Sequence, residues 1–202
     1  MDALTAIATA TGLGWASGVR LYAVLFFLGL LQHAGIYTLP PDLQVLAHPA
    51  VMAVSGLLFF IEFLADKVPG VDSLWDAVHT FIRIPAGAVL AAAAVASADP
   101  GFALAAGLLG GVVAAGTHFT KAGTRALINA SPEPFSNWTA SLGEDFLSLL
   151  GLFAALKYPL LFLILLGVFI GVAIYLLPKL WRGIKRVLTT IRRSPGSPAS
   201  WK

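Results

Sequence analysis

The sequence predicts an all-α membrane protein, a polytopic bundle of about six transmembrane helices, and three observations support this fold class. Charged residues make up 11% of the 202 residues and hydrophobic residues 58%, whereas soluble domains have about 25% charged residues. Several apolar runs are long enough to cross a hydrocarbon core, which takes about 20 residues. Polar residues recur in short ladders at steps of three and four, which is the spacing of one helix face.

Apolar runs and their flanks predict six spans. They cover about residues 4–33, 45–65, 72–97, 101–129, 136–156 and 159–178. The clearest uncharged run, Tyr158 to Pro178, matches one membrane crossing. The run 84–98 is too short alone and needs the polar segment from Asp72 to Arg83 to complete a span. That requirement places polar residues at membrane depth.

Glycine and proline indicate where these helices break or end. The first span is predicted to break near Gly12, Gly14 and Gly18, because glycine weakens a helix. Five prolines mark further breaks or ends: Pro69, Pro85, Pro132, Pro134 and Pro159. No basic region precedes the first apolar stretch, so this stretch is expected to be a retained span rather than a cleavable signal.

Basic residues predict the topology. An even number of spans places on one side of the membrane the helix ends that carry Lys67, Lys121, Arg125 and the C-terminal segment. Basic residues favour the cytoplasmic side, so both termini are expected in the cytoplasm. Segment 179–193 has six basic residues and no acidic one, in the pattern of an amphipathic helix lying on anionic lipid. Residues 194–202, rich in Ser and Pro, are predicted to be disordered.

The transmembrane domain, residues 1–178, contains a weak internal repeat. Ala16 to Leu21 resembles Lys121 to Ala126, which suggests two halves, 1–98 and 99–178. Three spans per half would give the halves opposite orientations, which is the inverted-repeat plan of many secondary transporters. The shared residues are few, so an inverted repeat and a chance match both stay open.

Four polar ladders hold the candidate functional residues. They are Glu62 and Asp66; Asp72, Asp76, His79 and Arg83; His118, Lys121, Arg125 and Asn129; and Asn137, Ser141, Glu144 or Asp145, and Ser148. An ionisable group inside a bilayer costs about 2.5 to 3.5 kcal/mol on insertion scales. Such groups are rarely found there without a pathway, a site or a partner. The ladders therefore predict a polar interior that binds an ion or a small polar solute.

Each ladder also has a purely structural interpretation. Asp72 is expected to cap the third span with Asp76 in its first turn, although acids on this hairpin could instead converge on a hard cation. The basic ladder could simply neutralise the acidic ones. Glu62 follows an apolar run, where an unpaired carboxylate would bind a proton or cation. His79 and His118 lack the spacing of a zinc-protease pair, so metal ligation is the weaker expectation.

Three segments resemble a known family. They are Glu62-Phe-Leu-Ala-Asp-Lys-Val-Pro-Gly-Val-Asp72, Trp75-Asp76 through His79 and Arg83 to Gly87, and His118-Phe-Thr-Lys121 through Arg125 to Asn129 and Ser131-Pro-Glu-Pro. They look like the bacterial membrane family catalogued as domain of unknown function 4126, over roughly residues 10–156. The resemblance implies no catalytic or binding role. The family's usual residue at the position of Arg20 is Asn, and an extra buried cation there would need a carboxylate partner.

The leading functional interpretation is a small transporter or channel for an ion or small polar solute, proton-coupled if one carboxylate or histidine of the network titrates. One alternative is an intramembrane enzyme acting on a lipid or lipid-linked phosphate, with Lys121 and Arg125 holding the phosphate. Another is an accessory or scaffold subunit of a membrane complex. An enzyme should have its ladders at one interface, and a transporter should have them across the midplane.

The remaining expectations concern cofactors, partners and location. No catalytic residue and no cofactor is predicted, and the absence of cysteine excludes disulfides and thiolate metal sites. Expected partners are the bilayer, anionic lipids at the basic segment, an ion or small solute, and a second copy of the chain, but not nucleic acid. The expected location is the bacterial cytoplasmic membrane.

Overall fold

A computed structural model describes residues 2–68, 70–129 and 134–193. In the last of these ranges, it describes the surroundings of side chains from Phe135 to Lys185. Its helices, in chain order, are α1 Ala3–His33, a 3-10 helix Pro41–Ala47, α2 Pro49–Ala65, α3 Val71–Ala93, α4 Pro100–Ile128, α5 Pro134–Lys157 and α6 Pro159–Arg193. These described residues contain no β-strand. The predicted all-α class is confirmed.

The helices are those of a multi-pass membrane protein. Among the described residues, four helices, α1, α4, α5 and α6, are long and apolar enough to cross a membrane. The 3-10 helix and α2, bent by 70° from one another, would supply a fifth crossing. The helical membrane bundle is therefore confirmed, whereas the number of six spans stays a prediction.

Prolines account for three differences from the predicted boundaries. The second helix begins at Pro49 rather than near residue 45, because proline disfavours helical geometry in the residue before it. Pro85 lies inside α3 without ending it, since neighbouring groups in a bundle can satisfy freed backbone groups. Pro178 lies inside α6, so the last span and the basic segment form one helix. The predictions for Pro69, Pro132 and residues 194–202 fall outside the described residues.

The break in α1 lies at Arg20 and not at the glycines. Arg20 has φ −147° and ψ 73°, far from helical values. Gly14 instead makes room for α4, since a Cβ there would lie 2.6 Å from the carbonyl oxygen of Gly110. The glycines of α1 therefore serve close helix packing, and the chain bends two residues after Gly18.

This break turns α1 into a hairpin. A straight helix of 31 residues would be about 46 Å long. Thr5, in the first turn of α1, nevertheless lines one cavity together with Tyr37 and Ser97. Tyr37 lies only four residues beyond His33, the end of α1, and four residues reach at most about 14 Å. The two ends of α1 are therefore close together, and Arg20 is the tip of the hairpin.

The two arms of the hairpin pack against different helices. The arm before Arg20 lies beside α5, where a Cβ on Gly12 would meet the side chain of Ala155. The arm after Arg20 lies beside α2, where a Cβ on Gly56 would lie 3.1 Å from the Phe26 ring. The hairpin is thus held on both sides inside the bundle.

The bundle has two ends of different chemistry. At the first, which we call the loop end, the hairpin opens and buried apolar side chains fill the core, among them Ala10, Leu43, Leu90, Ala106 and Leu156. At the second, the network end, α2 and α4 end and α3 and α5 begin. The tip of the hairpin reaches this second end. The core is therefore apolar on one side of the protein and ionic on the other.

The start of α1 and the end of α6 lie at opposite ends of the bundle. Thr5 is at the loop end. Leu180 is at the network end, because a Cβ on Gly123 of α4 would lie 3.3 Å from its Cδ1 atom. The side of the membrane on which each terminus lies stays a prediction.

Candidate functional site

The charged residues of the ladders meet at the network end. Within the described residues, ion pairs join five carboxylates, Glu62, Asp66, Asp76, Glu144 and Asp145, to four cations, Arg20, Arg83, Lys121 and Arg125. We call this set the ionic network. Only Glu144 and Asp145 keep appreciable side-chain exposure, 17% and 16%.

Helix ends bring the four ladders together. Asp66 is the C-cap of α2, and Asp72 lies in the first turn of α3. Arg125 lies in the last turn of α4, and Asn137 lies near the start of α5. Short connections between antiparallel helices place these positions at one level, so their polar stripes face each other.

Arg20 occupies the centre of the ionic network. Its Nη1 forms a short ion pair with Asp66, and its Nε lies 2.8 Å from Oδ1 of Asp145. Its Nη2 donates to the carbonyl oxygen and the hydroxyl of Ser141, both at 3.1 Å. The buried cation Arg20 therefore has carboxylate partners on α2 and α5.

Glu62 is not the unpaired carboxylate that its apolar surroundings predict. Its Oε1 forms a short ion pair with Arg83, and it lies 3.7 Å from Nη1 of Arg20. Arg83 also donates to Asp76 at 2.8 Å. Glu62, Arg83 and Asp76 are all at most 2% exposed, and we call these three residues the closed end.

His118 extends the closed end. Its Nδ1 lies 3.2 Å from Nη1 of Arg83, and its Nε2 lies 2.7 Å from the hydroxyl of Thr80. Because a guanidinium can only donate, Nδ1 accepts and the ring proton is on Nε2. In this arrangement His118 is neutral, as a hydrogen-bonded interior histidine should be.

His79 has a similar environment on the neighbouring turn. Its Nδ1 lies 2.7 Å from the carbonyl oxygen of Trp75, so this nitrogen carries the proton. Its Nε2 lies 3.0 Å from the hydroxyl of Tyr22, which donates to it. The described residues contain no group of three or more potential ligands that could hold a metal ion. The carboxylates Glu62, Asp66 and Asp76 pair with Arg83, Arg20 and Lys121.

Arg125, Glu144 and Asp145 form the open end of the network. Arg125 donates from Nε and Nη2 to the two carboxylate oxygens of Glu144, at 2.8 and 2.9 Å. This bidentate geometry is the strong form of an arginine–carboxylate pair. Arg125 also donates to the carbonyl and side-chain oxygens of Asn137, at 3.1 and 3.2 Å. Because two carboxylates remain partly exposed, the network can be reached from outside the bundle here.

Lys121 joins the closed end to the open end. Its Nζ lies between 3.5 and 3.7 Å from carboxylate oxygens of Glu62, Asp66, Asp76 and Glu144. It also donates to the carbonyl oxygen of Val19 at 3.2 Å, next to the break in α1, where helical bonding is interrupted. Asp76 and Arg125 therefore belong to one connected set, as the sequence predicts.

Asp72 lies at the rim of the site. Both its carboxylate oxygens accept from Nδ2 of Asn129 at 2.7 Å, and Oδ1 also accepts from the backbone N–H of Gly70 and Ser73. The N-cap of α3 is Gly70, with φ 88°, so Asp72 is not the expected cap but a first-turn acid. Asn137 donates to Oδ1 of Asn129 at 2.7 Å, which links Asp72 to the open end.

Lys67 follows the end of α2 beside the network. Its ammonium donates to the carbonyl oxygen of Phe63 at 3.0 Å and lies 2.9 Å from the centre of the same ring. Burial lowers the pKa of Lys67, and the negative charge of Asp145 partly offsets this effect. The aromatic ring stabilises the cation.

The comparisons with known proteins identify a family. The family described as "Domain of unknown function (DUF4126)" matches residues 7–179. The chain belongs to this family. No curated protein and no solved structure matches it. Every residue of the ionic network lies within the DUF4126 region.

Three residues of the DUF4126 site are absent from the predicted set: Arg20, Tyr22 and Thr80. Arg20 had a detectable signal, because an arginine inside an otherwise apolar span marks a buried partner or site. Tyr22 and Thr80 had none, since single hydroxyl residues in apolar helices are common. The charged residues, histidines and asparagines of the four ladders, thirteen in all, lie in or beside the network, but whether they bind a substrate stays a prediction.

Proposed function

We propose that this DUF4126 protein is a small membrane transporter or channel for an ion or small polar solute, coupled to one proton that its ionic network binds and releases. One observation carries the proposal: among the described residues, ion pairs join five carboxylates to four permanent cations, and the neighbouring Asp72 and Lys67 add one charge of each sign. The two adjacent histidines are neutral in their hydrogen bonds. A surplus buried negative charge is costly, and one bound proton removes it.

The proton is expected to enter at Asp145. Four buried carboxylate oxygens of the described residues have no hydrogen-bond donor, one each on Glu62, Asp66, Asp76 and Asp145. Of these four residues, Asp145 has the most exposed side chain. Its Oδ1 lies 2.8 Å from Nε of Arg20, but these two atoms are not aligned for a hydrogen bond. Among these four carboxylates, Asp145 is thus the one that a proton from outside reaches first.

The hairpin in α1 supports a transporter because it carries a charged residue into a buried site. Its arm from Ala3 to Val19 has a rise of about 25 Å, close to the roughly 30 Å of a hydrocarbon core. The two arms of the hairpin have their outer ends at the loop end of the bundle, and the tip at Arg20 lies in the ionic network. Broken helices that carry a charged tip to a buried site are a common feature of transporters.

The position of the network at one end of the bundle is the arrangement expected of an enzyme. Its cations, however, are already engaged. Arg125 is in a bidentate pair with Glu144, and Lys121 lies among carboxylates. A phosphate would have to displace these carboxylates from both residues. The enzyme alternative therefore receives less support than proton-coupled transport.

Proteoliposome flux tests the proposal. A proton gradient is imposed, and the native protein, Asp145→Asn and the control Asp42→Asn are screened with alkali cations and small organic ions while internal pH is recorded. Asp42 is an exposed acid in the 3-10 helix, far from the network along the chain. We expect flux with the native protein and the control, and none with Asp145→Asn.

Two results would contradict the proposal. A folded native protein that moves no proton and no solute would favour the scaffold alternative. Native flux by Asp145→Asn would show that the surplus carboxylate is not the coupling group.

We also propose an orientation in the bacterial cytoplasmic membrane. The basic C-terminal segment should be cytoplasmic by the positive-inside rule, which places the network end inside and the loop end outside. Because the chain has no cysteine, single cysteines at Ala3, Ala98 and Val68 can be labelled from either side. Ala3 and Ala98 should react from outside and Val68 from inside. Labelling of Ala3 from the cytoplasm would restore the predicted common side of the termini.

A further inference from the structure

The part of α6 beyond Pro178 has an exposed basic face. Lys179, Arg182 and Lys185 are exposed and recur at steps of three, so they lie on one side of the helix. On the other side, Leu180 packs at Gly123, and Leu127 of α4 lies 3.1 Å from where a Cβ on Gly183 would be. The segment therefore rests on α4 and turns its cations outward. We call Lys179, Arg182 and Lys185 the basic face.

The length of α6 before the basic face matches one membrane crossing. Residues 159–178 of α6 have a rise of about 30 Å, the thickness of a hydrocarbon core. Tyr175 and Trp181 are 64% and 60% exposed beside it, as interfacial aromatic residues are. The Lys179 ammonium lies 3.7 Å from the centre of the Tyr175 ring, and that of Lys185 lies 5.2 Å from the Trp181 ring. These rings hold the ammonium groups at the surface without neutralising them.

We infer that the basic face binds the headgroups of anionic phospholipids in the leaflet at the network end. Charge complementarity supports this partner, because residues 179–193 contain six basic residues and no acidic one. The bound lipid would hold Leu180 and Gly183 against the end of α4. The contact of Leu180 there is with Gly123, two residues before Arg125. Anionic lipid therefore stabilises the open end of the network, whether or not the protein transports an ion.

Lipid titration of the full chain in detergent tests this inference. Short-chain phosphatidylglycerol and phosphatidylcholine are added separately, and lipid binding is followed by native mass spectrometry and by the melting temperature. We expect stabilisation by the anionic lipid only. The triple variant Lys179→Gln, Arg182→Gln, Lys185→Gln should bind it about 100-fold more weakly, since each surface cation contributes about fivefold.

Lys157→Gln is the matched control, because Lys157 is an exposed lysine at the end of α5 by the loop end. It should bind anionic lipid as the native chain does. If the triple variant fails to fold, Arg182→Gln alone and the salt dependence of the native chain answer the same question, because salt screens headgroup attraction. Equal stabilisation by both lipids, salt-independent binding, or native affinity in the variant would overturn the inference.

Discussion

The closed end and the open end of the ionic network use the same chemistry in different surroundings. At the closed end Glu62, Arg83 and Asp76 are sealed from the exterior, and the carboxylates share one guanidinium. At the open end Glu144 is held by a bidentate arginine, while Asp145 pairs with Arg20 in a geometry that is not aligned for a hydrogen bond and stays partly exposed. From this comparison we expect the sealed charges to contribute most to stability and the partly exposed carboxylates to contribute less.

The largest effect is expected at the closed end. Glu62→Gln leaves Arg83 buried with half of its charge partners, and breaking such a pair costs about 3 to 5 kcal/mol. The free energy of unfolding in detergent should fall accordingly. Glu62→Leu combined with Arg83→Met should recover part of the loss, since replacing both charges by apolar groups removes the unpaired cation. Native stability in Glu62→Gln would remove the distinction between the two ends.

A double-mutant cycle tests whether the two ends communicate. Asp76→Asn and Arg125→Gln should each destabilise the protein, and their effects should not be additive because Lys121 and Glu144 connect them. We expect a coupling energy of about 0.5 to 3 kcal/mol in denaturation measurements. Two harmless single variants with additive effects would mean that the ends are independent sites.

A packing variant tests the hairpin that carries Arg20 into the network. Gly14→Ala would place a Cβ 2.6 Å from the carbonyl oxygen of Gly110, and such overpacking costs about 1 to 3 kcal/mol. Gly116→Ala is the matched control, because a Cβ there has no neighbour within 4 Å among the described residues. The control should be neutral or slightly stabilising, as alanine favours helix. Equal melting temperatures for both variants would place the hairpin outside the tightly packed bundle.

The smallest effect on stability is expected at the open end. Asp145→Asn leaves four carboxylates with four cations and removes a partly exposed pair, so the loss should be below about 1 kcal/mol. The same variant should abolish proton coupling. In contrast, Glu144→Gln should lower the stability of the fold, because it removes the carboxylate that Arg125 binds. A large loss of stability in Asp145→Asn would assign this residue to the structural part of the network.

Helix positions and the members of the site were predictable because they depend on local features. Periodic polar residues in apolar runs placed the four ladders on helix faces, and Asp66 and Arg125 then met at helix ends. The status of Pro85 and Pro178 was not predictable, since a proline can end a helix or lie within it depending on what surrounds the freed backbone groups.

Composition and helical periodicity act over a few turns, so they were enough to predict the membrane class, the helices and which charged residues need partners. The partner of each charge and the point where the chain reverses depend on contacts between distant helices. Arg20 donates a hydrogen bond to Ser141, 121 positions away in the chain. Glu62 pairs with Arg83 of α3, and the sequence does not predict how α3 packs against α2. Long-range packing selected those pairs, because a buried charge takes whichever opposite charge the folded helices bring within reach.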